Sequence, residues 1–375
     1  MRSMKFKPSI LPNEFRYHFK RIDQATIDQW ISFKELNPFL RKNPSFLEIS
    51  NGLLDSIETE FITNPEFVWI ACKSGIITGQ LNRVLDISWK YSESYIRGQS
   101  AFALAFKGKT TDALALLKAA EYNAEKEEDI EVLVDLFGIR AFTLAVEKKF
   151  EEVTGAYIKA TQYSKGQKGL TQWAQLARTR AAYAMLKLGY ISDSSIINNQ
   201  VLSLANQSGD RFYKIQALNG LGHCLDRVSK TDDALKLYQK ALGISLELKS
   251  VNLSSVILNR MGMAYAWRKK DLNGSIDYFK RSIAYSQEGE SDWLIFGPMA
   301  NLAIIKKMSG DYFDAQELFE GVKDRSESSG NLRDQIFAYI NLSDIYRELG
   351  DNYRSQEYKK IADDLTKYLQ SEFRF

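Results

Sequence analysis

Two short stretches of the sequence have glycines in patterns that could hold a phosphate group. Residues 108–110 (GKT) match the end of a nucleotide-binding loop, but the glycine required five positions earlier is replaced by Ala103. Residues 220–223 (GLGH) begin like a dinucleotide-binding fingerprint, yet Leu225 stands where its last glycine is needed. Both stretches lie in segments of helical period and follow no strand. We therefore predict no nucleotide cofactor.

The histidines and cysteines are too few and too poorly spaced for most catalysis. The chain has two histidines, His18 and His223, and two cysteines, Cys72 and Cys224. A zinc-protease motif needs two histidines on one helical turn, so the spacing excludes it. His223 and Cys224 are adjacent, but neighbouring helical residues point about 100° apart. We expect no catalytic residue, no metal and no cofactor, and two reduced thiols in the core.

Composition and charge argue against several classes of partner. The 375 residues carry a net charge of +3 with 45% hydrophobic and 26% charged residues, which is ordinary for a folded protein. Such a balance provides no strong attraction for nucleic acid. No apolar run approaches the roughly 18 residues of a membrane span, and the first residues lack a secretory signal. The expectation is a soluble cytoplasmic protein without direct nucleic-acid or membrane binding.

The segment 217–246 has the pattern of a structural unit that the chain repeats. Residues 217–246 contain two amphipathic stripes of period 3.6, separated by a polar break at 229–232. Gly222, Ala234 and Ala241 are small residues at the positions where two antiparallel helices would approach closest, since larger side chains would push the axes beyond about 8–10 Å. This pattern predicts a helical hairpin.

The hairpin recurs along the chain. Small or medium residues equivalent to Ala234 return about every 40 residues. They stand at Ala113, Val153, Ser194, Ala234, Ser275, Ala315 and Ser355. A residue in the left-handed conformation is expected after each first helix, where glycine is least strained. We predict it at Gly108, Gly189, Gly310 and Gly350, and at Lys148, Ser229 and Lys269 or Lys270 in the units that lack this glycine.

These residues resemble the tetratricopeptide repeat family over about residues 94–370. In the central unit the family pattern is met by Leu218, Leu221-Gly222, Leu225, Ala234, Tyr238 and Ala241. The repeat length of about 40 is similar to that of Rap-type peptide-sensing bacterial regulators, the maltose-regulon activator's sensor and kinesin light chains. The resemblance implies an all-α, right-handed solenoid of about seven hairpins at 94–370. Residues 1–93 would form an N-terminal helical extension or cap, with a degenerate repeat at 66–92.

The resemblance also implies where a ligand would bind. In this family the first helices line a concave groove, and side chains near the small position project into it. Carried across, the predicted peptide-binding residues are Thr179, Arg180, Tyr183, Gln216, Asn219, His223, Asp226, Arg227, Asn259, Arg260, Met263, Trp267, Asn301 and Asn341. Asparagine amides can pair with a peptide backbone, and the arginines can select an acidic side chain or terminal carboxylate. The alternative is that each asparagine bonds between adjacent repeats.

The function predicted from the sequence is that of a non-catalytic scaffold or adaptor that binds a protein or peptide. One alternative is a ligand-responsive regulator, with the N-terminal helices as output module and the repeats as sensor. A less favoured alternative is an enzyme similar to the repeat-built phosphatases of peptide signalling, for which the sequence offers no catalytic constellation. Self-association is left open.

Overall fold

The computed structural model describes residues 65–164, 174–289, 291–329 and 332–372, together with residues 51, 53–55, 57 and 58. Within these ranges all regular structure is helical, which confirms the predicted all-α class. The part of the predicted N-terminal extension that precedes residue 51 lies outside the described residues. The N-terminal boundary near residue 93 stays a prediction.

Sixteen helices follow one another through the described ranges. They are α1 Pro65–Thr78, α2 Leu81–Ser88, α3 Ser94–Phe106, α4 Thr110–Lys126, α5 Ile130–Val146, α6 Phe150–Ser164, α7 Gln175–Lys187, α8 Ile191–Ser208, α9 Arg211–Arg227, α10 Thr231–Glu247, α11 Val251–Met263, α12 Leu272–Glu288, α13 Asp292–Met308, α14 Tyr312–Ser329, α15 Leu332–Glu348 and α16 Asn352–Glu372. A π-helical turn, Ala264–Arg268, directly extends α11. From α3 onward the helices form seven consecutive hairpins, each with a first and a second helix.

The helices divide into two compact units. One contains α1 to α10 and the start of α11 through Ser254, and the other begins at Ser255. In the first unit each second helix packs on the first helix of its own hairpin, and the first helices α3, α5, α7 and α9 also pack on one another in order. The α1–α2 pair, within the predicted degenerate repeat, packs on α3. The second unit repeats the pattern, with α13 contacting both α14 and α15.

The small positions are buried where the paired helices meet. Ala234 is fully inaccessible to solvent, and its equivalents in the other hairpins are also buried. A Cβ atom added to Gly222 would lie 2.6 Å from Cε1 of Tyr238, and one added to Gly262 would lie 2.6 Å from Cε1 of Phe279. Such distances are below contact, so only glycine lets the aromatic ring of the second helix lie against the first helix.

The predicted left-handed residues are confirmed. Gly108, Gly189, Gly310 and Gly350 have φ angles between 79° and 94°. Where glycine is missing, the chain accepts the same conformation in a residue with a side chain: Lys148 (φ 63°), Ser229 (φ 61°) and Lys270 (φ 57°). The hairpin turn is therefore fixed by packing rather than by local preference, because this conformation costs about 1–2 kcal/mol outside glycine.

The π-helical turn absorbs a one-residue insertion. Gly222 and Ala234 are separated by 12 positions, whereas Gly262 and Ser275 are separated by 13. The additional residue widens the last turn of the first helix, and the ring of Tyr265 stacks on Tyr278 at 5.1 Å between centroids. Inserted residues are commonly accommodated in helices as single π-turns. Both small residues thereby keep their buried positions.

Three expectations from the sequence concern membrane-spanning helices, metal sites and the two cysteines. No helix in the described ranges is long and apolar enough to cross a membrane. The described residues contain no group of three or more His, Cys, Asp or Glu side chains that could hold a metal ion. Cys72 and Cys224 are both buried and neither forms a disulfide, and burial raises the pKa of Cys72.

We expect Gly222→Ala to destabilise the protein by about 1–3 kcal/mol, because the new methyl group would displace the buried ring of Tyr238. The matched control is Gly243→Ala in the exposed face of α10, where an added Cβ meets nothing within 4 Å. This control should be neutral or stabilising by up to about 1 kcal/mol. Urea unfolding of the two variants measures the difference, and equal effects would contradict the packing argument.

Candidate functional site

Six polar side chains in the first unit share one face of the first helices. The small residue of the first helix is Ala101 in α3, Ala182 in α7, Gly222 in α9 and Gly262 in α11. Counted back from it, the six side chains stand at positions 2, 3, 6, 7 and 10, which fall within about 140° of arc at about 100° per residue. The arc is centred about 90° from the small residue, and Gln175, at position 7, lies at its edge, about 20° from that residue. We call this arc the polar face; it consists of Gln99, Gln175, Arg180, Gln216, Asn219 and Asn252.

The polar face contains buried atoms without partners. Solvent cannot reach Oε1 of Gln99, Oε1 of Gln175, Nε of Arg180, Nε2 of Gln216, Oδ1 of Asn219 or either amide atom of Asn252, and none has a hydrogen-bond partner among the described residues. Leaving one such group unpaired costs about 1–3 kcal/mol. A run of them along one face is typical of a surface that is completed by a ligand or by ordered water.

At one end of the polar face, a buried carboxylate joins three first helices. Oδ1 of Asp135 on α5 accepts a hydrogen bond from Nζ of Lys73 on α1 at 3.0 Å, and Oδ2 accepts one from Nε2 of Gln99 on α3 at 3.3 Å. The ammonium group also lies 4.9 Å from the ring centroid of Trp69. Burial lowers the pKa of Lys73, while the charge of Asp135 opposes the shift.

Farther along, Arg180 on α7 lies between its two neighbouring first helices. Its guanidinium stacks over the ring of Phe142 on α5 at 5.1 Å, and its Nη2 donates to Oε1 of Gln216 on α9. No carboxylate among the described residues pairs with it. Burial lowers the pKa of Arg180 to about 10, an effect only partly offset by Tyr183 and Tyr213. The structure therefore brings together Arg180 and Gln216, two of the residues named from the sequence, with Asn219 on the same face of α9.

In the second unit the predicted asparagines bond to one another. Nδ2 of Asn301 on α13 donates to Oδ1 of Asn259 on α11 at 3.0 Å. A Cβ atom on Gly297 would lie 3.0 Å from Nδ2 of Asn259, so glycine leaves room for this amide. The adjacent Arg260 has an Nε atom that is inaccessible and unpaired among the described residues. Bonding between neighbouring repeats, the alternative left open by the sequence, thus describes the Asn259–Asn301 pair.

Other predicted residues of the first unit have local structural contacts. Thr179 is buried and donates to the carbonyl oxygen of Leu176 at 2.8 Å. Tyr183 packs against Phe150, with ring centroids 5.8 Å apart. Asp226 accepts from the hydroxyl of Thr231 at 3.1 Å, at the hairpin turn. His223 is half-buried and Arg227 is exposed.

The remaining predicted residues lie in the second unit. Met263 packs against the cluster around Phe279, and Trp267 is exposed in the π-helical turn. Asn341 is buried, accepts from Nζ of Lys307 at 2.8 Å and donates to the carbonyl oxygen of Phe337 at 2.9 Å. It stands two residues before its small position, whereas Asn219 and Asn259 stand three before theirs, so the asparagines do not share one position.

Sequence reasoning missed half of the polar face and the ion pair beside it. Gln99, Gln175 and Asn252 were not predicted, and neither were Lys73 and Asp135. An available signal was the occurrence of polar residues at helix positions 2, 7 and 10 before the small residue. For Lys73 and Asp135 no such signal exists, because they belong to helices that are not adjacent in the chain.

The arrangement of helical hairpins is that of tetratricopeptide-like repeat proteins. Among solved structures, the chain is similar to a Rap protein crystallised with competence and sporulation factor, at 16% identity and a TM-score of 0.59, over 90% of this chain and 98% of that one. It is also similar to aspartyl phosphate phosphatase F from Bacillus subtilis, at 14% identity and a TM-score of 0.51, over 98% and 94% of the two chains. At these identities the likeness concerns the fold.

Comparisons at the level of sequence identify no relative. No protein-family profile matches the chain, and no curated protein matches it.

We expect Lys73→Met or Asp135→Asn alone to destabilise the protein by about 3 kcal/mol, because each leaves the other charge buried without its partner. The double variant should be more stable than the sum of the single effects implies, by at least about 1 kcal/mol. A matched control is the exposed pair Lys236 and Asp233, also 3.0 Å apart, where the same substitutions should change little. Additive effects in urea unfolding at the buried pair would contradict the assignment.

Proposed function

We propose that the chain is a non-catalytic binding protein that holds an extended peptide segment, free or part of a protein, along the polar face of the first unit. The observation that supports this most is the run of unpartnered buried atoms on that face. A peptide backbone presents N–H donors and C=O acceptors in alternation, and side-chain amides can pair with both. Binding would therefore relieve several unsatisfied groups at once.

The chemistry of the bound segment follows from the charges around the face. Arg180 has no acidic partner among the described residues, and the more exposed Arg227 lies on the neighbouring helix α9. Both favour a segment with acidic groups over a basic one. Cys72 and Cys224 are buried thiols that form no disulfide, which suits a reducing compartment, so a cytoplasmic location is part of the proposal.

The structural comparisons support the proposal without extending it. The Rap protein to which this fold is similar was crystallised with competence and sporulation factor, so a fold of this type accommodates a bound factor. Another similar structure is called a phosphatase. The polar face of this chain consists of amides and one arginine, which suit hydrogen bonding to a peptide, and none of its six side chains is a carboxylate or an imidazole that could act as a general base. Binding is therefore the function that the described side chains support best.

The test exploits the cost of unpartnered groups. Gln175→Met together with Asn219→Ala removes two unpartnered acceptors, so the variant should unfold at an equal or higher temperature than the parent. It should capture at least about fivefold less peptide from a complete proteome digest, because each of the two lost hydrogen bonds weakens binding by about 0.5–1.5 kcal/mol. Captured peptides are quantified by mass spectrometry alongside a thermal melt.

Asn199→Ala is the control, since Asn199 is an exposed amide of the second helix α8 that bonds to its own helix. It should capture peptides like the parent. The proposal is wrong if the folded double variant captures as much as the parent, or if Asn199→Ala loses as much as the double variant.

A further inference from the structure

We propose that Arg180 and Gln216 form a binding site for a carboxylate group of the ligand, so that the polar face has one fixed anion position. This inference rests on the proposed function and deepens it, because it states which part of the ligand lies at α7 and α9. A carboxylate can come from an acidic side chain or from a peptide C-terminus, and both present the same planar pair of acceptor oxygens.

The guanidinium of Arg180 lacks a counter-ion among the described residues. Arg140, on the neighbouring first helix α5, is paired with Glu121 by two hydrogen bonds of 2.7 and 2.8 Å. Arg180 has no such carboxylate among the described residues, although burial is strong enough to lower its pKa to about 10. Arg180 is partly buried, and a charge withdrawn from water without a counter-ion is costly, so a charge that the fold itself leaves unpaired is available to an external anion.

The hydrogen bond from Arg180 fixes the orientation of the Gln216 side-chain amide. A guanidinium group can only donate hydrogen bonds, so the amide must turn its oxygen toward Nη2 of Arg180. Its Nε2 then points away as a donor, and this atom has no partner among the described residues. The Gln216 residue is 7% exposed, so water cannot freely satisfy it.

Together these atoms define what the ligand must supply. Nε of Arg180 and Nε2 of Gln216 are both unpartnered donors, and they belong to two side chains that are joined by one hydrogen bond. Two donors next to a positive charge require acceptors with a negative charge. A carboxylate meets this requirement with its two oxygens, whereas a neutral amide offers one acceptor and no charge.

The Gln99 end of the polar face has the opposite demand. Nε2 of Gln99 donates to Asp135, and because a carboxylate can only accept, Oε1 of Gln99 is left as an unpartnered acceptor. Ligand donors, such as backbone N–H groups, suit that end. The anion position is therefore confined to Arg180 and Gln216 rather than spread along the polar face.

The experiment measures binding of small probes to the full chain by equilibrium dialysis, at constant ionic strength. The probes are N-acetyl-aspartate methylamide for an acidic side chain, N-acetyl-alanine for a C-terminus, and N-acetyl-asparagine methylamide as the neutral match. We expect the parent to bind one or both carboxylates at least tenfold more tightly than the neutral probe. Arg180→Gln should abolish this preference, and Arg180→Lys should retain only part of it, since an ammonium lacks the planar fork.

Arg211→Gln is the matched control, because Arg211 is an exposed arginine at the start of the neighbouring first helix α9, and this variant should bind the probes like the parent. The inference is overturned if the parent binds all three probes equally or none of them, or if Arg180→Gln binds carboxylates unchanged. Tighter binding of inorganic phosphate, lost in Arg180→Gln, would replace the carboxylate by a phosphoryl group and also overturn it. Should Arg180→Gln fail to fold, the parent's own preference and the Arg180→Lys variant decide the outcome.

Peptide capture separates this inference from the proposed function. If Arg180→Gln still captures peptides and the parent shows no preference for acidic ones, the inference fails and the proposed function stands. If the parent binds carboxylate probes but captures no peptides, the anion site stands and the proposed function fails.

Discussion

The close approach of the two helices in each hairpin is the constraint on which the rest of the structure depends. It requires a small residue on both helices, such as Gly222 and Ala234, so that an aromatic ring like that of Tyr238 fits between them. Because the small position fixes the rotation of each first helix about its axis, it also fixes which residues point away from the second helix. The polar face is thus a geometric consequence of the hairpin packing.

The second unit shows how strongly this constraint acts. The insertion between Gly262 and Ser275 could have displaced one of the two small residues, but the additional residue is taken up as a π-helical turn. Widening one helical turn weakens a few backbone hydrogen bonds, whereas losing the ring contact of Phe279 would open a cavity in the core. The packing is therefore preserved at the expense of helix regularity, and Trp267 is exposed on that turn.

The polar face has the composition expected of a surface kept for binding rather than for stability. Replacing Gln175 or Asn219 by an apolar residue would remove an unsatisfied polar group. A carboxylate near Arg180 could neutralise its charge, as Glu121 does for Arg140. Proteins commonly retain such unfavourable groups where a ligand uses them. In the second unit, by contrast, the equivalent amides of Asn259 and Asn301 satisfy each other and contribute to packing between first helices.

The sequence by itself determined the helical hairpins, the small positions and the left-handed residues, because each depends on residues within a few turns of one another. The left-handed turn position is glycine in some hairpins, such as Gly310 and Gly350, and Lys148, Ser229 or Lys270 in others. Through the family resemblance it also named Arg180, Gln216 and Asn219. These three were found because their position relative to the small residue is a local property.

Only the tertiary structure decided which of the named polar groups have partners. The Asn259–Asn301 bond and the Arg180–Gln216 bond both join neighbouring first helices, and whether two such side chains meet depends on helix spacing and rotation to within about an ångström. Lys73 and Asp135 meet across 62 residues of sequence, on helices that are not consecutive. Periodicity reports the face on which a residue lies, but the contact between two faces is a property of the folded chain.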